Sequence, residues 1–429
     1  MKFTDDIGCK RSLNTLYDLT GRYKEIQELC RKFAENELTS VAGKLDKDQK
    51  FPSNEVRRLF ELGLMGICAS KKYGGSEYDC LGLSIAIEEL SKGCSSIGTI
   101  CSIHNALSVN LLEKTGTERQ KDKYLKSFVN DSLGFFALSE ADAGSDVVAI
   151  STEARKDGDF YILNGSKAWV TSALDSNAGI VFATIDKSKG HSGITAFIIE
   201  TNTPGVKISE NIQKLGLRAT SMSNLYLTDV KVPKSNIIGN VGEGFKLAMN
   251  QLEQARIGKA SVGVGIASKS LEIAINYASN RYQFNQSLLS MPTVKTRLAE
   301  MSAGLESARL LTRTAAIQRD NAGSATKLSS LAKYVASETA TFCTHNCIQI
   351  MGGMGIVNSE PAERLYRDAR IVEVLGGVTD IQKLVVADQL VKEYGLNRIR
   401  ILEMVLCDNI IIEFDQIIHL IDSNFDAHH

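Results

Sequence analysis

The clearest change of pattern in the chain occurs at Phe136-Ala137-Leu138-Ser139-Glu140-Ala141-Asp142-Ala143-Gly144-Ser145-Asp146, where an apolar run leads into a loop of small and acidic residues. Similar short apolar runs recur to about residue 232, separated by turn dipeptides such as Asn164-Gly165. This pattern predicts a β-rich region of about 100 residues, folded as a small antiparallel barrel or sandwich. On chemistry alone the loop is an ordinary turn, although its N–H groups and the Ser139 and Ser145 hydroxyls could bind an anion or a polar ring edge.

Helical periodicity flanks the β-rich region on both sides. Apolar residues recur every three or four positions from about residue 16 to 131, and again from 242 to about 394. The order is therefore helices, strands, helices. A further amphipathic stretch at 401–422 is too charged to span a bilayer, and we interpret it as a helix packed on its own chain or on a partner.

Composition excludes several classes of protein. With 49 basic and 50 acidic side chains, the net charge of −1 gives no electrostatic reason to expect a nucleic-acid partner. No run approaches the roughly 20 apolar residues of a membrane span. The nine cysteines are scattered, which indicates reduced thiols. Cys343-x-His345-x-Cys347 lacks a fourth ligand, so buried thiols are expected there rather than a metal site.

Two further motifs could carry chemistry. Asn164 to Thr171 contains Trp169, the only tryptophan. A lone tryptophan usually lies in a core, but this one, at the end of a strand beside Thr171, is also placed to stack on a planar cofactor. Gln349-Ile350-Met351-Gly352-Gly353-Met354-Gly355 ends a helix with glycines that allow close backbone approach. It is not a dinucleotide fingerprint, because no strand precedes it.

Together these motifs resemble the acyl-CoA dehydrogenase family of flavoproteins. Its two signatures correspond to Leu138-Ser139-Glu140…Gly144-Ser145-Asp146 and to Gln349…Gly352-Gly353-Met354-Gly355…Arg364…Asp368. The resemblance covers about residues 16–394 and is closest to the short-chain members, for example in Arg256-Ile257-Gly258-Lys259-Ala260-Ser261. It implies an α+β protein with a helical N-terminal domain, a middle antiparallel β-barrel and a C-terminal four-helix bundle. The corresponding boundaries are an N-terminal extension 1–15, then domains 16–131, 132–235 and 236–395, and a C-terminal extension 396–429.

The resemblance also implies FAD as the cofactor, bound between barrel and bundle and completed by the bundle of a neighbouring subunit. The implied FAD-binding residues are Phe136, Leu138, Ser139, Gly144, Ser145, Trp169, Val170, Thr171, Arg281, Phe284, Gln349, Gly352, Gly353, Val378, Thr379 and Asp380. The implied substrate-binding residues are Ser145, Glu253, Gln254, Ala255, Arg256 and Gly377.

The family's catalytic base has no obvious counterpart here. The resemblance implies that a carboxylate removes the α proton of an acyl thioester while hydride leaves the β carbon. Its usual position after Arg367-Asp368-Ala369 is Gly376, and its alternative position on a bundle helix is Ala255. Glu373 is the nearest acid to Gly376, although a structural role is the preferred interpretation. We therefore expect slow proton abstraction, preserved acyl-CoA binding and a gain of activity in Gly376→Glu.

The implied activity is α,β-dehydrogenation of a short-chain acyl-CoA by a tetramer of the mitochondrial matrix, with electrons passed to an electron-transfer flavoprotein. Two alternatives stay open. One is a catalytically silent paralogue that retains FAD and acyl-CoA binding as an interaction protein. The other is a flavoenzyme with different chemistry on the same scaffold.

Overall fold

The computed structural model describes residue 19 and residues 21–395. The extension 1–15, the extension 396–429 and the amphipathic stretch 401–422 lie outside the described residues. Among the described helices, none is long and apolar enough to cross a bilayer.

Eight α-helices form the N-terminal domain, as the helical periodicity predicts. Short π-helical segments at Ala34–Leu38 and His104–Val109 join neighbouring helices without a break, and a third lies at Lys121–Leu125. The helices are α1 (Arg22–Phe33), α2 (Thr39–Asp48), α3 (Ser53–Glu61), α4 (Cys80–Gly93), α5 (Ser95–Ile103), α6 (Asn110–Thr115), α7 (Glu118–Gln120) and α8 (Lys126–Asn130).

Eight strands of the middle domain form one sheet in the order β6-β7-β3-β2-β4-β5-β8, and β1 pairs with β4 beside this path. The strands are β1 (Leu133–Ala137), β2 (Glu153–Asp157), β3 (Phe160–Thr171), β4 (Ser176–Thr184), β5 (Ile194–Glu200), β6 (Val206–Ile208), β7 (Met222–Pro233) and β8 (Ile237–Ile238).

The sheet departs from the expected antiparallel barrel in two respects. Its hydrogen-bonded path ends at β6 and at β8, so it is an open sheet. It is also mixed, because β1 and β2 both run parallel to β4. A parallel pair needs a long connection rather than a hairpin. The chain between β1 and β4, which contains β2 and β3, supplies that connection.

Three long helices dominate the C-terminal domain: α9 (Gly244–Asn280), α10 (Pro292–Ala322) and α11 (Thr326–Met351). The shorter α12 (Pro361–Val374) packs on α9 and α11, and α13 (Thr379–Glu393) follows it. A short β-hairpin separates α9 from α10. Its strands are β9 (Tyr282–Gln283) and β10 (Gln286–Ser287), joined by a two-residue turn. Glu253 near the start of α9 accepts a hydrogen bond from the Ala325 N–H at the start of α11, and Gly263 of α9 faces Ala336 further along α11, so α9 and α11 run parallel.

The three domains meet in a shared apolar core. Phe136 at the end of β1 and Leu252 of α9 pack on the same cluster, which also contains Ala255 of α9. Leu375, directly after α12, packs there as well. The strand end, the first third of α9 and the loop after α12 therefore all border this core.

Candidate active site

A buried ion pair links the loop after β1 to the strand β3. Lys167 Nζ lies 2.7 Å from Glu140 Oε1 and donates to the Leu138 carbonyl oxygen at 3.0 Å. Glu140 also accepts hydrogen bonds from Ser151 and from the Thr152 N–H. Burial opposes the charge of Glu140, but Lys167 and these donors hold its pKa at about 2. The pair therefore fixes the backbone of the two motifs that flank the expected flavin ring.

Trp169 projects from this surface rather than lying in the core. The pairing of β3 with β7 is interrupted between Lys167 and Val170, and Trp169 adopts a φ of 56° there. Its indole is 50% exposed. The Ala168 N–H donates to the Ser139 carbonyl at 2.9 Å, so Ser139 lies next to the residue that precedes Trp169. An exposed tryptophan held in a strained bulge favours a stacking role over the core interpretation.

The other residues expected to contact the flavin ring differ in which of their atoms a ligand could reach. Leu138 and Val170 are buried in the core, so their backbone rather than their side chains is available to a ligand. Phe136 is half-buried, Thr171 is buried and Ser145 is exposed. A Cβ added at Gly144 would meet no atom within 4 Å, so the loop is open at this point.

A second set of expected FAD residues lies at the far end of the bundle. Arg281 and Gln349 are exposed, and Phe284 is 88% exposed at the tip of the β9–β10 hairpin. Phe284 and Asn285 have φ values of 53° and 63°, as a two-residue hairpin turn requires, although this conformation is uncommon for a bulky side chain. Added Cβ atoms at Gly352 and Gly353 would meet nothing within 4 Å. Because α9 and α11 are parallel, the hairpin and the glycines lie at the same end of the bundle.

The two sets of FAD residues are far apart within one chain. Ala255, which packs in the same core as Phe136 of the first set, lies within α9, and Arg281 of the second set directly follows the last residue of that helix. At about 1.5 Å per residue they are separated by about 40 Å. One subunit therefore presents two separate parts of the expected cofactor site.

The expected base position is occupied by another side chain. Gly376 has a φ of 71°, and a Cβ added there would lie 2.3 Å from Lys259 Cε and 2.7 Å from Lys259 Nζ. Lys259 is buried on α9, one helical turn beyond Ala255. The Leu375 N–H makes the last helical hydrogen bond of α12, to the Ile371 carbonyl. The next N–H, that of Gly376, has no acceptor among the described residues.

The loop after α12 is held by a second buried lysine. Lys333 of α11 donates from Nζ to the Glu373 carbonyl at 2.7 Å and to the Gly377 carbonyl at 2.9 Å. Gln382 adds a hydrogen bond to the Gly377 carbonyl, and Thr379 Oγ1 donates to the Glu373 carbonyl. Val378 is half-buried in the same loop, and Asp380 is exposed in the first turn of α13.

Neither nearby acid is free to replace the missing carboxylate. Glu373 accepts a hydrogen bond from Thr341 and forms an ion pair with Arg370. Glu253 accepts from Arg319, Ser324, the Ala325 N–H and Thr326, so it caps the start of α11. We therefore assign Glu253 a helix-capping role rather than the substrate contact that the resemblance implies.

The remaining expected substrate residues lie on the same helix. Gln254 is buried and donates to Cys68 Sγ at 3.8 Å, and Ala255 is buried in the shared core. Arg256 has a buried Nε with no hydrogen-bond partner among the described residues. Burial lowers the pKa of Arg256, and Glu253 partly offsets this effect. A half-buried guanidinium whose Nε has no hydrogen-bond partner among the described residues fits a site that a polar ligand completes.

Sequence reasoning missed three buried lysines: Lys167, Lys259 and Lys333. The sequence does contain a signal for their burial, because each lysine interrupts a run of small or apolar residues, as in Ile257-Gly258-Lys259-Ala260. By contrast, Cys343 and Cys347 are buried thiols as expected, and the described residues contain no metal-binding cluster of histidines, cysteines and acids.

These features suit a long ligand with a planar ring and polar groups. Three features lack contacts within the described part of the chain: the exposed indole, the open backbone at Gly144, Gly352 and Gly353, and the Arg256 Nε. The residues present therefore fit FAD.

Comparison with known proteins gives the same assignment. Family models for the acyl-CoA dehydrogenase N-terminal, middle and C-terminal domains match residues 20–132, 135–230 and 242–391. The mitochondrial short-chain specific acyl-CoA dehydrogenase of Rattus norvegicus is 45% identical over 388 residues, covering 90% of this chain and 94% of the relative.

Two solved structures share the fold. Butyryl-CoA dehydrogenase from Megasphaera elsdenii superposes with a TM-score of 0.86 at 36% identity, covering 87% of this chain and 99% of the other. PigA, solved with FAD and proline, has a TM-score of 0.84 at 28% identity, covering 89% of this chain and 99% of the other. The expected cofactor is thus confirmed for the family, as is the expected oxidoreductase class.

Helical, β-sheet and helical domains follow one another in the family's order, and relatives align with the chain across all three. The chain therefore belongs to the acyl-CoA dehydrogenase family.

Proposed function

We propose that this protein catalyses FAD-dependent α,β-dehydrogenation of a short-chain acyl-CoA and passes the electrons to an electron-transfer flavoprotein. The observation that carries the proposal is the N–H of Gly376, which has no acceptor among the described residues and lies in the loop that packs beside α9. A backbone N–H without an acceptor is suited to polarise the carbonyl oxygen of an acyl thioester. The resemblance to short-chain enzymes supports the substrate class.

The chain's own residues position and enclose the reactants. Ser139, Trp169, Val170 and Thr171 would hold the flavin ring, and when bound the flavin supplies a two-electron acceptor for hydride from the β carbon. Lys333 fixes the loop that carries the Gly376 N–H. The shared apolar core around Phe136 and Leu252 keeps water from this region, which strengthens each polar contact inside it.

A single experiment tests the proposed reaction. The purified holoprotein is mixed anaerobically with butyryl-CoA, and the visible absorbance of the flavin is followed together with formation of the 2-enoyl-CoA product. Bleaching with product formation is expected. Tight binding of butyryl-CoA with no bleaching and no product would reject the dehydrogenase and favour the silent paralogue.

We also propose that the protein is a tetramer in which neighbouring subunits complete each FAD site. The separation of about 40 Å along α9 between the two sets of FAD residues supports this. Trp169→Ala and Arg281→Ala impair different parts of the same composite site. Mixed oligomers of the two variants should therefore recover part of the bound FAD, because some sites then carry neither change. No recovery despite demonstrated subunit exchange, or a monomer by sedimentation at micromolar concentration, would reject a shared site. The mitochondrial relatives support a matrix location.

A further inference from the structure

The end of the Lys259 side chain occupies the space beside Gly376 that a side chain at position 376 would enter. A Cβ at position 376 would lie 2.3 Å from Cε, 2.7 Å from Cδ and 2.7 Å from Nζ. Lys259 is 3% exposed, so its amine lies within the protein. The space that a Cβ at position 376 would enter is therefore filled by the end of a lysine side chain from the facing helix, with its amine at the edge of that space.

The surroundings of this amine disfavour its charged form. Among the described residues its hydrogen-bond acceptor is the Ala255 carbonyl, at a long 3.5 Å. The charged groups that act on it are the cations Lys333 of α11 and Arg256 of its own helix. Glu373, the nearest acid from α12, is turned to Thr341 and Arg370. Burial, reinforced by the two cations, lowers the pKa of Lys259 to about 7.

With a pKa of about 7, about half of the Lys259 side chains carry a free lone pair at neutral pH, and this fraction rises with pH. A general base works best when its pKa lies near the working pH, because it is then both deprotonated and able to accept a proton. An ordinary lysine would be protonated and useless for this purpose. Lys333 differs mainly in its contacts: burial lowers its pKa to about 8, but its amine donates to two carbonyls at 2.7 and 2.9 Å and so holds the loop.

We propose that Lys259 Nζ is the catalytic base that removes the α proton of the acyl thioester, in place of the carboxylate that Gly376 cannot supply. This inference rests on the proposed dehydrogenase function. The Cα–H bond breaks and its proton moves to Nζ, forming a new N–H bond. The electron pair left at Cα forms the Cα=Cβ double bond as the Cβ–H pair leaves as hydride to FAD, the two-electron oxidant. The thioester is oxidised, the flavin is reduced, and the ammonium later loses its proton to solvent.

The first test compares Lys259→Met with wild type in the holoenzyme. Methionine nearly preserves length and apolar packing but has no amine. We expect the rate of flavin reduction by butyryl-CoA to fall at least about 100-fold, with the dissociation constant for butyryl-CoA changing less than about 3-fold. The wild-type rate should rise with pH through about pH 7, where Lys259 deprotonates. Lys269→Met, which removes a lysine paired with Glu272 on the outer part of the same helix, is the matched control and should leave the rate unchanged.

The second test needs no turnover. Acetoacetyl-CoA has an α carbon acidic enough to be deprotonated without oxidation, so its enolate can be followed by ultraviolet absorbance when it binds. The wild type should form the bound enolate with little proton release to the buffer, because Lys259 takes up the proton. In Lys259→Met the ligand should bind mainly as the ketone, or release its proton to the buffer. Proton release is measured by calorimetry in buffers of different ionisation enthalpy.

The outcomes separate this inference from the proposed function. If the wild type forms the enolate but never yields enoyl-CoA, and Lys259→Met forms no enolate, the base assignment stands and dehydrogenation fails. If both proteins reduce flavin within about 3-fold of each other, dehydrogenation stands and the base assignment is overturned. An absence of both reactions in the wild type overturns both. The wild type could instead strongly prefer to bind the CoA thioester of a dicarboxylic acid, and Lys259→Met could lose that preference. This result overturns the base assignment and indicates that Lys259 pairs with a substrate carboxylate.

The double variant Gly376→Glu with Lys259→Ile gives an independent check. It restores a carboxylate at position 376 and removes the amine that would obstruct it. The rate of flavin reduction should be higher in the double variant than in Lys259→Ile alone. Its pH profile should be shifted to lower pH because a carboxylate replaces an amine. Lack of any gain over Lys259→Ile would contradict the inference that both groups serve one position.

Discussion

Lys167 and Glu140 form a fully enclosed ion pair, with 2.7 Å between Nζ and Oε1 and side chains that are 0% and 5% exposed. Lys167 belongs to β3, two residues before Trp169, and Glu140 directly follows Ser139. The pair therefore joins the two motifs that carry the expected flavin contacts. The pair contributes little net attraction to stability, but removing one partner would leave the other charge buried and unpaired, which strongly destabilises the fold.

Lys167→Met should strongly destabilise the middle domain and reduce FAD binding. The change leaves Glu140 buried without its cation, which typically costs about 3–5 kcal/mol. We expect a clear fall in melting temperature and loss of flavin from the purified protein. Lys187→Met is the control, because Lys187 pairs with Glu153 at the surface, where a salt bridge is worth about 1 kcal/mol or less. Equal effects of the two variants would contradict the prediction.

Trp169 should report directly on flavin binding. It is the only tryptophan, so addition of FAD to the apoprotein should quench nearly all of the tryptophan fluorescence. Trp169→Ala should weaken FAD binding by roughly 2- to 12-fold, the value of one aromatic stacking contact. Tyr226→Ala, which removes an exposed ring from β7, should leave FAD affinity unchanged. Unchanged tryptophan emission on binding would place the ring elsewhere.

Gly376→Ala should destabilise the protein through two separable effects. The left-handed backbone conformation costs a residue with a Cβ about 1–2 kcal/mol, and the new methyl group meets Lys259. Gly323→Ala is matched in φ, at 69°, but its Cβ would meet nothing within 4 Å, so it carries the backbone cost alone.

The loss of stability caused by Gly376→Ala should be smaller when the Lys259 side chain is shortened. Adding Lys259→Ala to Gly376→Ala should remove the steric part and leave a loss comparable to that of Gly323→Ala. Urea unfolding of the four combinations measures the coupling. Simple additivity of the two substitutions would show that the side chains do not compete for this space.

Lys259 should make stability depend on pH above neutrality. Its folded-state pKa of about 7 lies below its ordinary value of 10.5, chiefly because of burial. Between these values the unfolded chain binds more protons than the folded protein, so stability rises with pH. Below about pH 7 both states are protonated and the folded protein bears the full cost of a buried ammonium.

Lys259→Met should therefore be more stable than wild type, most of all below pH 7. Each pKa unit corresponds to about 1.4 kcal/mol, so the advantage is on the order of a few kcal/mol at pH 6. It should decline steadily as the pH approaches 10. Thermal unfolding of both proteins across this range measures the difference, and an advantage that does not vary with pH would refute the assigned shift.

The domain order could be predicted because secondary-structure periodicity is local. Five apolar runs fall within β1, β3, β4, β5 and β7. β2 was missed because Ala154 is its one buried residue, which leaves no apolar run to recognise. The parallel pairing of β1 with β4 was also missed, since the partner of a strand depends on where the intervening chain crosses the sheet.

Motifs along the chain predict which residues contact the cofactor, but no motif points to Lys259. In sequence it is one residue in a run of small side chains on a long helix, and its distance in sequence from Gly376 exceeds 100 residues. By itself the sequence determined the helix–sheet–helix order, the family signatures and the lack of a carboxylate at Gly376 and Ala255. Only the packing of α12 and its following loop against α9 placed an amine where the carboxylate is missing. Burial and two neighbouring cations, which arise from that packing alone, then give the amine its unusual protonation.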